Sequence, residues 1–337
     1  MTAGVTEPVE APSRSVALSV EDLVVTYGNR RDPLRAVDGV SLRVARGETL
    51  GIIGESGSGK STLVMAIAGL LPTSGGRIRI APRDGDLATA ANSVGRGGEV
   101  QVIFQDPMLA LSPSLPIWRS VAEPLAPKDF RVPRRLRAQA VELLAQVGIG
   151  AEMAERRPAQ LSGGQRQRVT IARAVAARAP LIMCDEPVAA LDISLQAGVL
   201  RLLDELLHTR ALTYVFVSHD MTSIARIADQ VGVMYLGKLV EIGPVRSVLR
   251  EPRHPYTRAL ISAVPTVSLQ ARARSRTLLP GEIPDARRPP SGCRFRTRCR
   301  FAQDRCAVEE PSFGAGSEAH QVACHFWPEI RDAATTA

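Results

Sequence analysis

The octapeptide GESGSGKS, Gly54 to Ser61, constrains the fold more than any other stretch of this 337-residue chain. It matches the pattern G-x-x-x-x-G-K-[ST], and its surroundings suit it: the apolar run LGII precedes it and TLVMAIAGLL, of helical length, follows it as far as Pro72. Strand, glycine-rich loop and helix in that order form a phosphate cradle. Glycines let backbone N–H groups curl around phosphate oxygens, and the helix N-terminus adds partial positive charge. The pattern places Gly54, Glu55, Ser56, Gly57, Ser58, Gly59, Lys60, Ser61 and Thr62 against a nucleotide. Lys60 reaches the β- and γ-phosphates, and the Ser61 hydroxyl ligates Mg²⁺.

Such a loop needs a second Mg²⁺ anchor, an Asp closing an apolar strand. LIMCDEP supplies Asp185. Glu186 follows directly, where a carboxylate can polarise the attacking water as general base. Around these motifs VALSVEDLVVTY alternates as a strand, SLRVARGETLGIIG holds two β segments, and GGRIRI and VQVIF are further strands. PLIMCDEP and TYVFVSHD are apolar enough for buried parallel strands, bracketing the helix SLQAGVLRLLDELLHT, and QVGVMYLGKLVEIGP is a terminal hairpin. The stretch from about 106 to 180 is helical. The expected fold is α/β, a P-loop NTPase core with an antiparallel β subdomain, a helical subdomain and a small Cys-rich C-terminal domain. Residues 1–15 are expected as a disordered tail without the apolar region of a signal peptide, and 81–99 as a surface loop. No apolar run approaches the roughly 18 residues of a membrane span, which implies a cytoplasmic chain.

LSGGQRQRVTIARAV, residues 161–175, resembles the signature motif of the ABC ATPases, and the rest of that family's motifs follow in order. Tyr27 stands where the family's aromatic stacks on adenine, Gln105 in IFQDP in the Q-loop, Asp192 in the D-loop and His219 in VSHD at the switch histidine. The resemblance covers about residues 17–250, within a nucleotide-binding domain at 16–250 whose helical subdomain spans about 106–170. It implies that Glu186, His219 and Gln105 are catalytic, and that Ser61, Gln105 and Asp185 hold Mg²⁺. It also implies a head-to-tail ATPase dimer, in which Ser162, Gly163, Gly164, Gln165 and Asp192 of one subunit close over the partner's ATP. A helix opening on SGGQ is physically a second anion site, which one triphosphate in one chain does not require.

The 57 residues between Gln105 and Ser162 leave no room for a long coiled-coil arm. The net charge of +8 includes the cluster Arg131, Arg134, Arg135 and Arg137 and an Arg-rich C-terminus, which keeps a nucleic-acid reading open. The 4% aromatic content gives it few stacking platforms, and no nucleic-acid partner is expected. EPRHPYTRALISAVP opens a C-terminal extension, 251–337, that looks like that of oligopeptide/dipeptide/nickel importers, with the F-type subunit most similar. That implies ATP-driven peptide import, with nickel or another small solute as the alternative. The implied partners are a second ATPase subunit, two membrane permeases and, indirectly, an extracellular solute-binding protein, with this chain on the cytoplasmic membrane face.

Cys293, Cys299, Cys306 and Cys324 fall in the spacing C-x5-C-x6-C-x17-C. Disulfides suit a reducing compartment poorly. Zinc sites favour tighter Cys pairs, whereas iron–sulfur clusters tolerate wider spacing. The family resemblance implies a [4Fe–4S] cluster, with zinc as runner-up and free thiols as the remaining reading, and Arg294, Arg296, Arg298 and Arg300 offsetting the charge of a cluster.

Overall fold

A computed structural model describes residues 15–29, 31–82, 85, 87, 98–126, 132–210, 212–263, 279–317 and 319–333. The expected N-terminal tail up to residue 14, most of the 81–99 loop and Arg131 lie outside the described residues.

The chain opens with strands β1 (Val16–Asn29) and β2 (Asp32–Ala45), paired antiparallel. Along β1 the buried leucines and valines run Leu18, Val20, then Leu23, Val25, a step of three where strict alternation requires two. A bulge absorbs the extra residue: the register shifts between Val20 and Leu23, and Asp22 adopts φ 46°. Without it Leu23 and Val25 would turn to solvent. The parallel core starts at β3 (Thr49–Ile53), and α1 (Lys60–Ile67) follows the phosphate loop. This helix is shorter than the apolar run suggested, because Gly69 turns the chain at φ 71°. β4 (Gly75–Ile80) returns to β1, completing a three-stranded sheet in the order β2-β1-β4. This small sheet packs over α1 and one face of the large sheet, burying Leu18, Leu23, Leu63, Ile67, Ile52 and Val217 in one cluster.

β5 (Val100–Ile103) leads into the helical region, which holds α2 (Ile117–Ala122), α3 (Arg137–Gln146) and α4 (Gly163–Ala176) with 3-10 turns between them. Then β6 (Leu181–Asp185), α5 (Ile193–Arg210), β7 (Thr213–Val217) and α6 (Met221–Ile227) rebuild the α/β alternation. Every residue of β3, β6 and β7 is buried, as strands covered on both faces must be. β8 (Gln230–Tyr235) and β9 (Lys238–Pro244) form the expected hairpin.

Past it come α7 (Val245–Arg250), α8 (Pro255–Ser262), α9 (Asp304–Val308), the short strands β10 (Ala315–Ser317) and β11 (His320–Val322), and α10 (Trp327–Ala333). The large sheet runs β10-β11-β9-β8-β3-β7-β6-β5. The P-loop NTPase core, the antiparallel β part and the helical part are therefore as expected, and the large sheet is mixed. The small Cys-rich C-terminal domain is not: β11 pairs with β9, and Phe295, Cys293 and Cys299 pack on the main hydrophobic cluster. So short a segment cannot bury enough surface to build a core of its own, and it shares the one already present.

A buried carboxylate anchors this segment. Glu241 on β9 is fully buried and accepts the backbone N–H groups of Arg253 and His254 at 2.8 and 2.9 Å. His320 Nε2 lies 2.7 Å from Glu241 Oε1, the oxygen that also accepts the Arg253 N–H. His254 in turn caps α8, its Nδ1 accepting from Tyr256 N at 3.1 Å. Burial pushes the His254 imidazole down to about 4, with Glu241 opposing. In this range the unfolded chain binds the proton that the folded chain refuses, so the contribution of His254 to stability is complete above about pH 6.5 and is lost as pH falls toward about 4. At about 1.4 kcal/mol per pH unit this is worth up to about 3 kcal/mol. Thermal unfolding of His254→Asn should show a shallower fall than the parent over that window; identical pH profiles would contradict the assignment.

Candidate functional site

β3, β6 and β7 are adjacent and parallel, so the loops leaving their carboxyl ends meet at one place, where ligands of open α/β sheets bind. β3 delivers Gly54–Thr62, β6 delivers Asp185 and Glu186, and β7 delivers Ser218 and His219. The loop requires its glycines. A Cβ on Gly54 would lie 2.3 Å from the Met234 carbonyl, and Gly59, at φ 103°, would put one 2.2 Å from that of Ala36.

Lys60 is buried and donates to the carbonyls of Gly54 and Glu55 at 2.9 and 3.0 Å. Burial pushes its ammonium down while Glu186, Asp185 and Glu55 pull it back up. Ser61 Oγ donates to Asp185 Oδ1 at 3.0 Å, a pairing 124 residues apart in sequence. Burial raises the Asp185 carboxyl, and the Ser61 bond opposes that rise. A divalent cation at this pair would meet a carboxylate and a hydroxyl at a helix N-terminus, and would relieve a buried charge. The residues present therefore fit Mg²⁺. Among the described residues the Ser58 hydroxyl, buried in the same loop, has no hydrogen-bond partner.

Glu186 has φ 49°, a left-handed conformation unusual for a non-glycine residue. Its N–H donates to the Val217 carbonyl at 3.1 Å, and its carboxylate lies 3.0 Å from His219 Nδ1. Strain of this kind, held by the surrounding structure, concentrates at functional sites. Tyr27 is partly exposed, its hydroxyl 3.3 Å from Thr62 Oγ1, at the outer edge of the loop. Gln105 is exposed at the end of β5.

Ser162 caps α4: its Oγ accepts from Gln165 N at 3.3 Å while Gln165 Oε1 accepts from Ser162 N at 2.9 Å, a reciprocal capping box. Ser162 and Gly163 are exposed, with Gly164 behind them against Leu195, and Asp192 is exposed at the start of α5. The side-chain hydrogen bonds described for Ser162 and Gln165 join them to each other and to Met153, not to the phosphate loop. The sequence-selected residues thus form two groups, one around Lys60 and one around Ser162.

The cysteines require a correction. Among the described residues no group of three or more His, Cys, Asp or Glu side chains is arranged to hold a metal ion. This overturns the expected iron–sulfur cluster, and with it zinc, on Cys293, Cys299, Cys306 and Cys324. All four are free and line one small cleft. Burial pushes Cys293 up to about 11 and Cys324 to about 12, and raises Cys299 too. These three thiols are protonated at neutral pH, and a protonated cysteine packs as a small hydrophobe. The arginines expected to offset a cluster have other partners. Arg294 pairs with Asp38, Arg296 donates to the Ser291 carbonyl, and Arg300 lies over the Phe301 ring.

Arg298 forms a bidentate pair with Glu55 of the phosphate loop, at 2.6 and 3.1 Å. The Tyr256 hydroxyl accepts the Glu55 N–H at 2.8 Å. Arg298, expected to face a cluster, meets Glu55 instead, and Tyr256 is not singled out by the sequence, since no motif spacing links positions 256 and 298 to position 55.

The cradle at β3, the Ser61–Asp185 pair and the capped SGGQ helix define a P-loop ATPase of the ATP-binding cassette class. A family model for the ABC transporter matches residues 37–189, and one for the oligopeptide/dipeptide transporter C-terminal region matches 240–306. The chain is 41% identical over 296 residues to the oligopeptide transport ATP-binding protein AppF of Bacillus subtilis, covering 87% of this chain and 90% of that one. It is 42% identical over 329 residues to OppF of Escherichia coli, covering 92% and 96%. Among solved structures, the dimeric post-hydrolysis state of the ATP-binding cassette MJ0796 bound to ADP and Pi is similar at 28% identity with TM-score 0.59, covering 68% of this chain and 99% of that one. The chain belongs to the ABC transporter ATP-binding proteins, in the oligopeptide/dipeptide group, as the sequence resemblance implied.

Proposed function

We propose that this chain is the ATP-hydrolysing subunit of an ABC importer and energises uptake of peptides through partner permeases. The observation that carries this reading is the meeting of Lys60, Ser61, Asp185, Glu186 and His219 at the carboxyl ends of β3, β6 and β7, in a chain whose relatives are named for oligopeptide transport. Those names favour peptides over nickel or another small solute.

In this reading the loop N–H groups and Lys60 bind the phosphates, and Tyr27 stacks on the base. Mg²⁺, held by Ser61, Asp185 and Gln105, would neutralise charge between the β- and γ-phosphates. Glu186 takes the proton of the attacking water, and His219, 3.0 Å away, orients its carboxylate. Ser162, Gly163, Gly164, Gln165 and Asp192 complete the site of a second ATPase subunit. Closure and reopening of that dimer pass through the helical region near Gln105 to two permeases served by a solute-binding protein. Among the described residues no helix is long and apolar enough to cross a membrane, so attachment to the cytoplasmic face rests on the permeases. Residues 16–250 carry the nucleotide chemistry and 251–337 form an extension upon it.

The test is direct. The purified chain should bind MgATP, and Lys60→Ala, losing a charge-assisted contact, should weaken binding by about 10–100-fold. Equilibrium dialysis reads this, and unchanged affinity would remove the phosphate-site assignment. A tagged chain taken from membranes should carry two permease subunits with it; their absence would remove the transport role.

A further inference from the structure

We infer that Arg298 is a positioning residue for the phosphate loop: by pairing with Glu55 it removes a negative charge from the mouth of a polyanion site, so the C-terminal segment sets nucleotide affinity. This rests on the proposal that ATP binds at Lys60.

Glu55 follows the first glycine of the loop, and its backbone carbonyl accepts from the Lys60 ammonium at 3.0 Å, so its carboxylate stands at the edge of the phosphate cradle. An unpaired carboxylate there would oppose a ligand carrying several negative charges. Arg298 is built to prevent this. Its side chain is 7% exposed, that of Glu55 26%, and the fork-to-carboxylate pairing fixes orientation as well as charge. Glu55 also raises the Arg298 guanidinium still further, by hydrogen bonding first.

The support extends beyond one pair. Phe295, at the head of the short 3-10 turn that ends at Arg298, packs against Tyr235 and Tyr256 at centroid distances of 5.3 and 5.4 Å. Tyr256 holds the Glu55 N–H. From the same segment, Arg294 donates to the Leu236 carbonyl, and the adjacent Gly237 N–H donates to the Ser58 carbonyl at 2.9 Å. The extension therefore holds the phosphate loop at both Glu55 and Ser58, positions 243 and 236 residues away in the chain from Arg298 and Arg294. A simple tether would need only one contact, and none that neutralises a charge.

The sign of the mutational effects separates positioning from tethering. Arg298→Ala leaves Glu55 unpaired and should raise the dissociation constant for MgATP about tenfold, the scale of one partly screened charge near a phosphate. Glu55→Gln leaves the guanidinium unpaired beside the cradle and should tighten binding. The double variant should return close to the parent, an interaction between the two positions that a double-mutant cycle reads. Arg298→Lys, keeping charge but not the fork, should fall between. Affinities are measured on the full chain by equilibrium dialysis, with thermal unfolding as a check on folding. If both single variants weaken binding and the double variant is no better, the pair is only a tether and the inference is wrong. Parent-like ATP binding by Arg298→Ala would equally overturn it. Should Arg298→Ala fail to fold, Glu55→Gln decides alone, since a tether predicts weaker binding and positioning predicts tighter. A parent chain that does not bind MgATP at all would instead overturn the nucleotide reading itself.

Discussion

Glu186→Gln should lower ATP turnover by about 10²–10⁴-fold, the range that a positioned general base supplies, while ATP affinity holds. The substitution is nearly isosteric. Gln meets the same left-handed backbone at φ 49° as Glu does, so the strain at this residue is unchanged. The backbone bond to Val217 is also untouched. What disappears is the proton acceptor, together with the charge facing His219 across 3.0 Å. The phosphate cradle around Lys60 and the Ser61–Asp185 pair remain, so binding and chemistry separate cleanly. Steady-state ATPase assays on the assembled complex, with nucleotide binding measured in parallel, give the two numbers. Loss of binding in this variant would show that Glu186 shapes the phosphate site and is not its base.

Ser162→Arg should stop turnover in the complex while the isolated chain still binds ATP. Within one chain, Ser162 caps α4 and makes no described contact with the phosphate loop. Ser162 and Gly163 are exposed at the start of this helix. If a second subunit's ATP site is completed there, an arginine fills that space and holds the dimer open. Losing one positioned donor to a transferring group already costs about 10²–10³ in rate. The cap is lost as well, which destabilises α4 by about 1 kcal/mol, too little to unfold a protein of this size. The two effects are told apart by thermal unfolding. Unchanged ATPase activity in the complex would show that hydrolysis takes place within one chain.

The phosphate loop, the Asp185–Glu186 pair and the capped signature helix were legible in the sequence because each is local. A tight glycine turn, a strand-terminal carboxylate and a Ser-x-x-Gln cap are all specified by residues within a few positions of each other. The parallel core was legible for a similar reason, since β3, β6 and β7 are apolar without interruption. The bulge at Asp22 breaks the alternation expected of VALSVEDLVVTY, and only pairing with β2 makes the shift visible.

The C-terminal segment was misread for the opposite reason. Four cysteines among arginines suggested a metal and a separate domain, because composition says what a segment contains and not what it touches. Tertiary structure decided otherwise: β11 joined the main sheet at β9, Phe295 entered the main cluster, and Arg298 reached Glu55. Contacts across more than 240 residues leave no periodicity to read. A guanidinium is satisfied by any carboxylate that the fold brings within reach, and only the packed sheet brings this one.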